Sequence, residues 1–339
     1  MLKRDIIVIG TSSGGQRVLS ALVRELPKGF QAALFVVSHI SAHHHSILPE
    51  ILNAAGNLPA THAVDGEPIR SSRIYIAPPD HHLLLEPETV RVTKGPKENR
   101  FRPAIDTLFR SAAYAFGPRA IGIVLTGALE DGTAGLWAIK DRGGIAIVQD
   151  PHEAEYSSMP LSAKQNVKVD YCLPLAEIVE TLNHLIDQPA PAEEHYPSSD
   201  ALRIETQISL EHNPLDAGIM NLGTTSVFTC PTCHGALLKI NDGRFTRFRC
   251  HTGHSFTISS LLTELTESTE NALWSAVRTL DENIMLLNHM AGHAQEERQH
   301  DVAKVLKNKA MEAKRQSDLV RKAALAQQTL KTDERSDRE

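Results

Sequence analysis

The 339-residue sequence lacks several features that mark broad classes of protein. It contains no apolar run near the ~20 residues that cross a bilayer, so we expect no membrane insertion. The apolar stretch 6–9 that follows the first charged residues is too short for a secretory signal. With 35 basic and 41 acidic residues, a net charge of −6, the sequence does not favour nucleic-acid binding. We therefore expect a soluble, cytoplasmic protein.

Cysteine is also scarce, and three of the four cysteines lie close together. Cys172 stands apart, whereas Cys230, Cys233 and Cys250 fall within 21 residues. Scattered pairs of cysteines would indicate disulfides in a secreted protein. A C-x-x-C motif with a third cysteine downstream indicates instead a metal site in a reducing compartment.

The cysteine motif has the spacing of a zinc ribbon. Cys230-Pro231-Thr232-Cys233 is followed, after sixteen intervening residues, by Cys250-His251-Thr252-Gly253-His254. Asp242-Gly243 between the two halves is a strong hairpin-turn signal. We predict a structural zinc ion with four ligands, Cys230, Cys233, Cys250 and His254. His251 and His234 are alternative ligands, and free thiols in a loop are the alternative to a metal site.

The first 186 residues alternate short apolar runs with longer amphipathic runs. The apolar runs, many of them rich in β-branched residues, predict buried parallel strands at 6–10, 33–38, 73–77, 121–126 and 145–149. The amphipathic runs predict helices at 17–25, 46–55, 104–114, 133–141 and 175–186. This alternation predicts an α/β fold with a doubly wound, mostly parallel sheet. Residues 82–86 and 90–94 predict a β-hairpin inserted into that order.

The pattern changes near Asp187, where a polar, proline-rich stretch begins. From residue 258 the sequence is helical in composition, and its apolar residues recur at spacings of three and four, with Gly292 as the expected break. We therefore predict a catalytic domain at 1–186, a linker at 187–221, a zinc-ribbon-like module at 222–257, a long helical hairpin or coiled coil at 258–328, and a frayed tail at 329–339. These helices are also candidates for homo-oligomerisation.

A serine follows the first predicted strand in a glycine-rich turn. The segment Gly10-Thr11-Ser12-Ser13-Gly14-Gly15 contains the G-x-S-x-G spacing of a nucleophile elbow, at a strand-to-helix turn where such an elbow belongs. Glycines on both sides permit the tight turn that exposes a serine hydroxyl. The alternative is a turn that binds a phosphate or only connects the strand to the helix.

Two further residues of triad type follow other predicted strands. His39 comes directly after the strand at 33–38, and Asp131 lies between the strand at 121–126 and a helix. Because functional residues of open α/β sheets lie at the carboxyl ends of strands, Ser12, His39 and Asp131 are predicted to form a catalytic triad. Asp131 as a helix N-cap is an alternative. The neighbouring histidines rival His39 as the base: His43, His44 and His45.

Six segments of the amino-terminal half, in order between residue 4 and about 185, carry a family resemblance: Ile7-Val8-Ile9-Gly10-Thr11-Ser12-Ser13-Gly14-Gly15, Ser38-His39-Ile40, 75–82, 101–109, 125–132 and Ser158-Met159-Pro160. Taken together, they resemble the catalytic domain of CheB-type chemotaxis methylesterases. The resemblance implies hydrolysis of glutamate γ-methyl esters on methylated chemoreceptors, and in some members deamidation of glutamines. It places the nucleophile, base and acid on Ser12, His39 and Asp131, and it favours His39 over its neighbours.

The remaining site residues are expected around this triad. Acyl-enzyme chemistry requires no cofactor for catalysis, but it needs oxyanion donors. The Ser13 amide is the first candidate, and the Ala128 amide is weaker because many family members carry methionine near that position. Three further residues are expected to line the cleft: His81, Arg102 and Met159.

The sequence departs from the best-known family members because no phosphorylatable receiver domain precedes the first strand. We therefore expect a stand-alone catalytic domain that is constitutively open or is controlled by the carboxyl-terminal third or by a separate partner. Of these, we favour the carboxyl-terminal third because it is itself the size of a domain. An alternative function is a signalling scaffold or sensor in which the zinc ribbon and helices bind a partner. A nucleotide-binding α/β protein ranks last, since G-x-G-x-x-G and P-loop lysine motifs are absent.

Overall fold

The structure is a computed structural model that describes residues 2–40, 46–242 and 245–336. The strands are β1 (Ile6–Thr11), β2 (Ala33–Ser38), β3 (Ala60–His62), β4 (Arg73–Ile76), β5 (His82–Leu85), β6 (Val90–Thr93), β7 (Ala120–Val124), β8 (Ile145–Gln149), β9 (Tyr171–Leu173), β10 (Thr224–Thr229), β11 (Ala236–Asp242), β12 (Phe245–Cys250) and β13 (Ser255–Thr257). The α-helices are α1 (Gly15–Glu25), α2 (Leu48–Ala55), α3 (Ile105–Phe116), α4 (Thr133–Asp141), α5 (Ser158–Asn166), α6 (Leu175–Leu185), α7 (Asp200–Ser209), α8 (Pro214–Ala217), α9 (Ile258–Glu296) and α10 (His300–Ser336). The predicted turn residue Gly243 and the alternative bases His43, His44 and His45 lie outside the described residues.

A parallel sheet organises the amino-terminal part of the chain. Within the described residues its seven strands follow the order β3-β4-β2-β1-β7-β8-β9, and each neighbouring pair is parallel. The antiparallel hairpin β5–β6 forms a separate small sheet. Both features confirm the predicted α/β fold. Because the chain moves from β1 to one side and returns through β7 on the other, the carboxyl ends of β1 and β7 flank a topological switch point.

Helices cover both faces of this sheet. Successive strand residues point to opposite faces. Val8 and Phe35 therefore join one buried cluster with α3, α4 and α5, whereas Ile9 and Leu34 join another with α1, α2 and α6. All six residues of β1 are buried. This double burial explains why the central strands appear in the sequence as uninterrupted apolar runs.

Two short strands and one helix of the amino-terminal part were not predicted from the sequence. The edge strands β3 and β9 are three residues long, too short for an apolar pattern to be recognised. The helix α5 begins at Ser158, inside a segment that the resemblance singled out without assigning it a structure.

The range 187–221 differs from the expected linker. It contains α7, whose residues Leu202, Ile204 and Ile208 are buried and whose first turn is capped by the Ser199 hydroxyl. Leu202 joins the core of the parallel sheet, while Ile204 and Ile208 pack with Leu238 of β11. The predicted catalytic and ribbon modules consequently lie in one compact unit, Met1–Leu261.

An antiparallel sheet of the described strands β10-β11-β12-β13 follows α7 and α8. Strands β11 and β12 pair from Leu237 with Cys250 to Asp242 with Phe245, which is the hairpin that the Asp-Gly signal predicts. This sheet is called the ribbon sheet below. It brings the two halves of the cysteine motif to one end of the hairpin.

The second compact unit, Leu262–Glu339, contains most of α9 and all of α10. The two helices run antiparallel, and Asp281 of α9 accepts hydrogen bonds from Ser317 and Arg321 of α10 at 2.6 and 2.7 Å. The break lies after Glu296, not at Gly292. Gly292 continues the helix because a single interior glycine costs only about 1 kcal/mol. The helix ends instead at a left-handed residue, Arg298 (φ 63°), in a Schellman-type hydrogen-bond pattern.

The long helices leave part of their apolar surface uncovered. Val302 and Val305, two of the regularly spaced apolar residues of α10, are about half exposed at 49% and 54%. Homo-oligomerisation through these helices stays a prediction. None of the helices in the described part of the chain combines the length and the apolar character that crossing a bilayer requires.

Candidate active site

Ser12 lies immediately beyond β1, in a tight turn that leads into α1. Gly14, the N-cap of α1, has a φ of 75°, a left-handed conformation that favours glycine. The Ser12 amide donates to the Thr126 carbonyl at 3.0 Å, and the Gly15 amide donates to the Ser12 carbonyl at 3.0 Å. These bonds fix the hydroxyl at the carboxyl edge of the sheet.

The chain packs closely behind the serine. A Cβ atom on Gly127 would lie 2.9 Å from Cβ of Ser12 and 2.6 Å from Cε of Met159. A side chain at position 127 would therefore displace the nucleophile candidate or the Met159 side chain, which is fully buried. Position 127 therefore has room only for glycine.

His39 joins Ser12 and Asp131. Its Nδ1 lies 3.0 Å from Ser12 Oγ, and its Nε2 lies 2.8 Å from Asp131 Oδ2. The carboxylate accepts the Nε2–H, so the free Nδ1 lone pair faces the serine hydroxyl. The Phe101 ring stacks on the imidazole with centroids 3.6 Å apart and an interplanar angle of 8°. The ring is thus held at both nitrogens and on one face.

Asp131 receives hydrogen bonds from several donors besides His39. The Ile105 amide donates to Oδ2 at 2.7 Å, and the Asn99 side-chain amide donates to Oδ1 at 2.9 Å. The Asp106 and Gly132 amides also reach Oδ1, at 3.2 and 3.0 Å. Burial opposes ionisation, but the hydrogen bonds from His39, Ile105 and Asn99 hold the pKa of Asp131 below its usual value. Since Ile105 begins α3, the carboxylate also lies at a helix N-terminus.

A second carboxylate lies beside the first. Asp106 is buried, its Oδ2 accepts from the same Asn99 amide at 2.9 Å, and its Oδ1 accepts from the Gly135 amide. Burial, and then the negative charge of Asp131, raise the pKa of Asp106 to about 7. The environment therefore favours ionisation of Asp131 over ionisation of Asp106.

A cleft of about 470 Å³ opens above these residues. In the described part of the chain it is lined by Ser12, Ser13, His39, Ile40, Phe101, Ala128 and Leu129. Neither the Ser13 amide nor the Ala128 amide donates a hydrogen bond to another described residue. Both oxyanion candidates thus lie at the cleft with N–H groups available to a ligand.

The three residues expected to line the cleft are placed elsewhere. Arg102 donates to Asp80 Oδ1 at 3.0 and 2.8 Å and to two backbone carbonyls, so it orders a neighbouring loop. His81 Nδ1 lies 2.8 Å from the Pro79 carbonyl oxygen. Met159 packs beneath the turn, where its Cε atom occupies the position that a side chain on Gly127 would need.

The amino-terminal half matches the family model for the CheB methylesterase over residues 7–182. A Leptospira interrogans relative is 40% identical over 177 residues, which are 52% of this chain and 92% of that protein. The chain belongs to the CheB methylesterase family. The resemblance in the sequence is therefore confirmed.

Other comparisons agree on the extent of the CheB match. The crystal structure of the Thermotoga maritima CheB methylesterase catalytic domain superposes with a TM-score of 0.52 at 35% identity, covering 54% of this chain and 98% of that one. A protein-glutamate methylesterase/protein-glutamine glutaminase of Anaeromyxobacter dehalogenans is 38% identical over 181 residues, 53% of each protein. The matched half contains Ser12, His39 and Asp131, and the cysteine motif lies outside it.

Two residues of this CheB-family site were not identified from the sequence. Phe101 covers His39, and Asn99 bridges the two carboxylates. Phe101 begins one of the segments that carry the resemblance, which was a usable signal. Asn99 had none, because its partners are distant in the sequence.

The cysteine motif forms a second cluster in this CheB-family chain. The ligand atoms of Cys230, Cys233, Cys250 and His254 all lie within 4.8 Å of one another. His254 Nδ1 lies 3.5 Å from Cys250 Sγ. The alternative ligands His234 and His251 are exposed and lie outside the cluster.

His82, behind the active site of this CheB-family protein, makes its stability depend on pH. Its Nε2 donates to the Pro96 carbonyl at 3.0 Å while Nδ1 accepts from the Ala104 amide at 3.2 Å, and complete burial lowers its pKa from 6.5 to about 4. Between these two values the unfolded chain binds a proton that the folded chain does not. Stability from this group is therefore complete above pH 6.5, and about 3 kcal/mol is lost as the pH falls towards 4.

We expect His82→Gln to remove this dependence. Urea unfolding at pH 7 and pH 4.5 measures the free energy of unfolding of both proteins. Wild type should lose about 2 kcal/mol relative to His82→Gln over this interval, because pH 4.5 is still above the folded pKa. If the free energies of unfolding of wild type and His82→Gln differed by the same amount at pH 7 and at pH 4.5, His82 could not be the neutral, buried group proposed.

Proposed function

We propose that this CheB-family protein is a carboxylic ester hydrolase that cleaves γ-methyl esters of glutamate side chains in a protein substrate. The supporting observation is the continuous hydrogen-bond chain from Ser12 Oγ through His39 to Asp131 at the cleft. The relative from Anaeromyxobacter dehalogenans is named for methylesterase and for glutaminase activity. Glutamine deamidation is the accompanying activity because the same groups would attack an amide carbonyl.

The reaction is acyl transfer through Ser12. His39 Nδ1 accepts the hydroxyl proton as Oγ attacks the ester carbonyl carbon, and the Ser13 and Ala128 amides bind the developing oxyanion. The His39 imidazolium then gives its proton to the departing methoxide. Methanol leaves, and a glutamyl ester of Ser12 remains.

Water completes the reaction from the same side. His39 takes a proton from the water as its oxygen attacks the acyl carbon, and it returns that proton to Ser12 Oγ when the ester bond breaks. The products are a free glutamate carboxyl group and the original enzyme. In deamidation the proton from His39 goes to the leaving nitrogen, and ammonia is released. No cofactor enters either sequence.

Asp131 orients and stabilises the base. Its Oδ2 accepts from Nε2, which leaves Nδ1 free to take the serine proton, and its charge stabilises the imidazolium that forms. The depressed pKa of Asp131 keeps this charge present at neutral pH. Asp131 itself stays ionised throughout.

Methylated chemoreceptors are the substrate that we infer from the family resemblance. The scaffold function of the carboxyl-terminal modules and the cytoplasmic location stay predictions. A partner-binding role of these modules is compatible with catalysis, because they follow residue 182, where the segment that matches the methylesterase family ends.

The test uses the full-length chain and a receptor fragment carrying radiolabelled glutamate methyl esters. We expect release of labelled methanol, and release of ammonia from a fragment carrying glutamines at the same positions. A fragment with unmodified glutamates serves as the control and should release neither product. Absence of both products from the modified fragments would contradict the proposed function.

A further inference from the structure

The cysteine cluster has the donor set and spacing of a zinc site. Cys233 Sγ and Cys250 Sγ are 3.6 Å apart, and His254 Nδ1 lies 3.8 Å from Cys230 Sγ. Ligands about 2.3 Å from a tetrahedral zinc ion are separated by about 3.8 Å. Three thiolates and one imidazole are a common structural zinc set, and the residues present fit that ion.

Outer hydrogen bonds hold the ligands in place. The Thr252 hydroxyl lies 3.1 Å from Cys233 Sγ and 2.9 Å from Cys250 Sγ. The Cys250 amide donates to the His254 carbonyl, and the left-handed Gly253 (φ 101°) closes the turn between them. Hydrogen bonds to the ligand residues from groups that do not bind the metal orient the ligands in metal sites.

The loop that carries two of these ligands, residues 250–255, is anchored to the catalytic half by buried charges. Arg249, which precedes Cys250, is fully buried and donates to the Gly253 carbonyl at 2.8 Å. Its other terminal nitrogen donates to Glu98 at 3.0 Å and to Glu205 at 2.8 Å. Arg110 of α3 also pairs with Glu98. An arginine next to a ligand thus joins the ribbon sheet to α7 and to Glu98.

Backbone hydrogen bonds continue this connection to the catalytic acid. We call residues 97–101 the bridging loop. The Ser255 amide donates to the Lys97 carbonyl at 3.3 Å, and the Asn99 amide donates to the Ser255 carbonyl at 2.8 Å. The Thr257 amide donates to the Asn99 side-chain oxygen at 3.1 Å. The other end of that side chain donates to Asp131.

The bridging loop needs this external support. Asn99 and Arg100 both have left-handed backbones, with φ of 49° and 79°. Consecutive non-glycine residues in this region are strained and persist only where their surroundings hold them. Phe101, which stacks on His39, follows directly. The bridging loop therefore places Asn99 beside Asp131 and Phe101 beside His39. The same loop is hydrogen-bonded to Ser255, the residue that follows His254.

We propose that Cys230, Cys233, Cys250 and His254 bind zinc, and that the zinc-bound 250–255 loop positions the bridging loop so that Asn99 and Phe101 align Asp131 and His39. The coupling of zinc to catalysis rests on the proposed function, whereas zinc binding does not. Asn99 is a positioning residue, which acts through Asp131. The carboxyl-terminal third is in this way part of the active site's support.

The experiment compares full-length wild type with Cys233→Ser and Cys172→Ser. Cys233 is a partly exposed ligand, whereas Cys172 is the free cysteine outside the cluster, so the two variants carry the same chemical change. Three quantities are measured: zinc per chain by atomic emission, the rate at which a fluorophosphonate probe labels Ser12, and kcat and KM for methyl-ester hydrolysis.

We expect about one zinc per chain in wild type and Cys172→Ser, and loss of zinc from Cys233→Ser. Removing zinc from wild type with a chelator should lower the labelling rate and kcat by about 10- to 100-fold with little change in KM, and added zinc should restore both. Asn99→Ala should keep its zinc and show the same fall in labelling and kcat. The chelated wild type tests the coupling even where Cys233→Ser fails to fold, and Asn99→Ala tests the contact that carries it.

Three results would overturn separate parts of the proposal. Absence of zinc after incubation of wild type with zinc chloride would overturn the metal site. Unchanged labelling and kcat in zinc-free wild type would overturn the coupling of zinc to catalysis, and unchanged values in Asn99→Ala would remove Asn99 from it. Bound zinc in a chain whose Ser12 resists the probe would overturn the catalytic assignment, and with it the coupling, while upholding the metal site.

Discussion

Replacing Ser12 with alanine is expected to lower kcat for methyl-ester hydrolysis by about 10⁴- to 10⁶-fold. Its hydroxyl lies 3.0 Å from His39 Nδ1 at the opening of the cleft, and its attack begins the proposed reaction. Without this oxygen no acyl-enzyme can form. The residual rate would come from the oxyanion donors and substrate binding alone. Methanol release from the labelled receptor fragment measures the effect.

The fold should survive this change, because alanine removes one half-buried oxygen and leaves the backbone of the turn intact. Ser20→Ala is the matched control, since the Ser20 hydroxyl only donates to the Gln16 carbonyl on α1. It should retain the wild-type rate. If Ser12→Ala kept more than a few per cent of activity, another nucleophile would have to be sought.

Replacing Asp131 with asparagine is expected to lower kcat by about 10⁴-fold. An amide nitrogen at the Oδ2 position would donate to His39 Nε2 and so transfer the imidazole proton to Nδ1. That nitrogen could then no longer accept the Ser12 proton. The imidazolium would also lose its negative partner. Single-turnover measurement of methanol release, with KM determined in parallel, separates this loss from weaker substrate binding.

Replacing Asp131 with asparagine should also lower the free energy of unfolding, but only modestly. The Ile105 amide, which donates to Oδ2 at 2.7 Å, would face another donor and lose its hydrogen bond. A buried unpaired amide costs about 1–3 kcal/mol. Glu130→Gln is the control at the adjacent position, and it should leave kcat unchanged. Full activity in Asp131→Asn would remove Asp131 from the proposed mechanism.

The triad candidates could be predicted because each one follows a recognisable buried strand. Parallel strands end at the same edge of a sheet, so Ser12, His39 and Asp131 were expected to meet there before their distances were known. The central strands were recognisable because burial on both faces demands uninterrupted apolar residues. The cysteine cluster was predictable for a different reason, since ligand spacing is local.

The supporting contacts could not be predicted in this way. Asn99 reaches Asp131 and the ribbon sheet across 32 and 158 positions of the sequence, and no local pattern signals such contacts. The second half of the expected linker at 187–221 contains α7, which was not recognised because this helix is only ten residues long. Met159 was assigned to the cleft because it belongs to a similar segment, but packing places it below Ser12.

By itself the sequence determined the α/β fold, the family, the residues of the candidate triad and the four members of the cysteine cluster. Each of these follows from short-range patterns of burial and spacing. Only the tertiary structure decided that the ribbon sheet and the catalytic half share one compact unit. The reason is that Arg249 of the ribbon sheet is a buried charge, and it is accommodated by pairing with two buried carboxylates, Glu98 and Glu205. Those pairings connect the metal-ligand loop to the residues that hold His39 and Asp131.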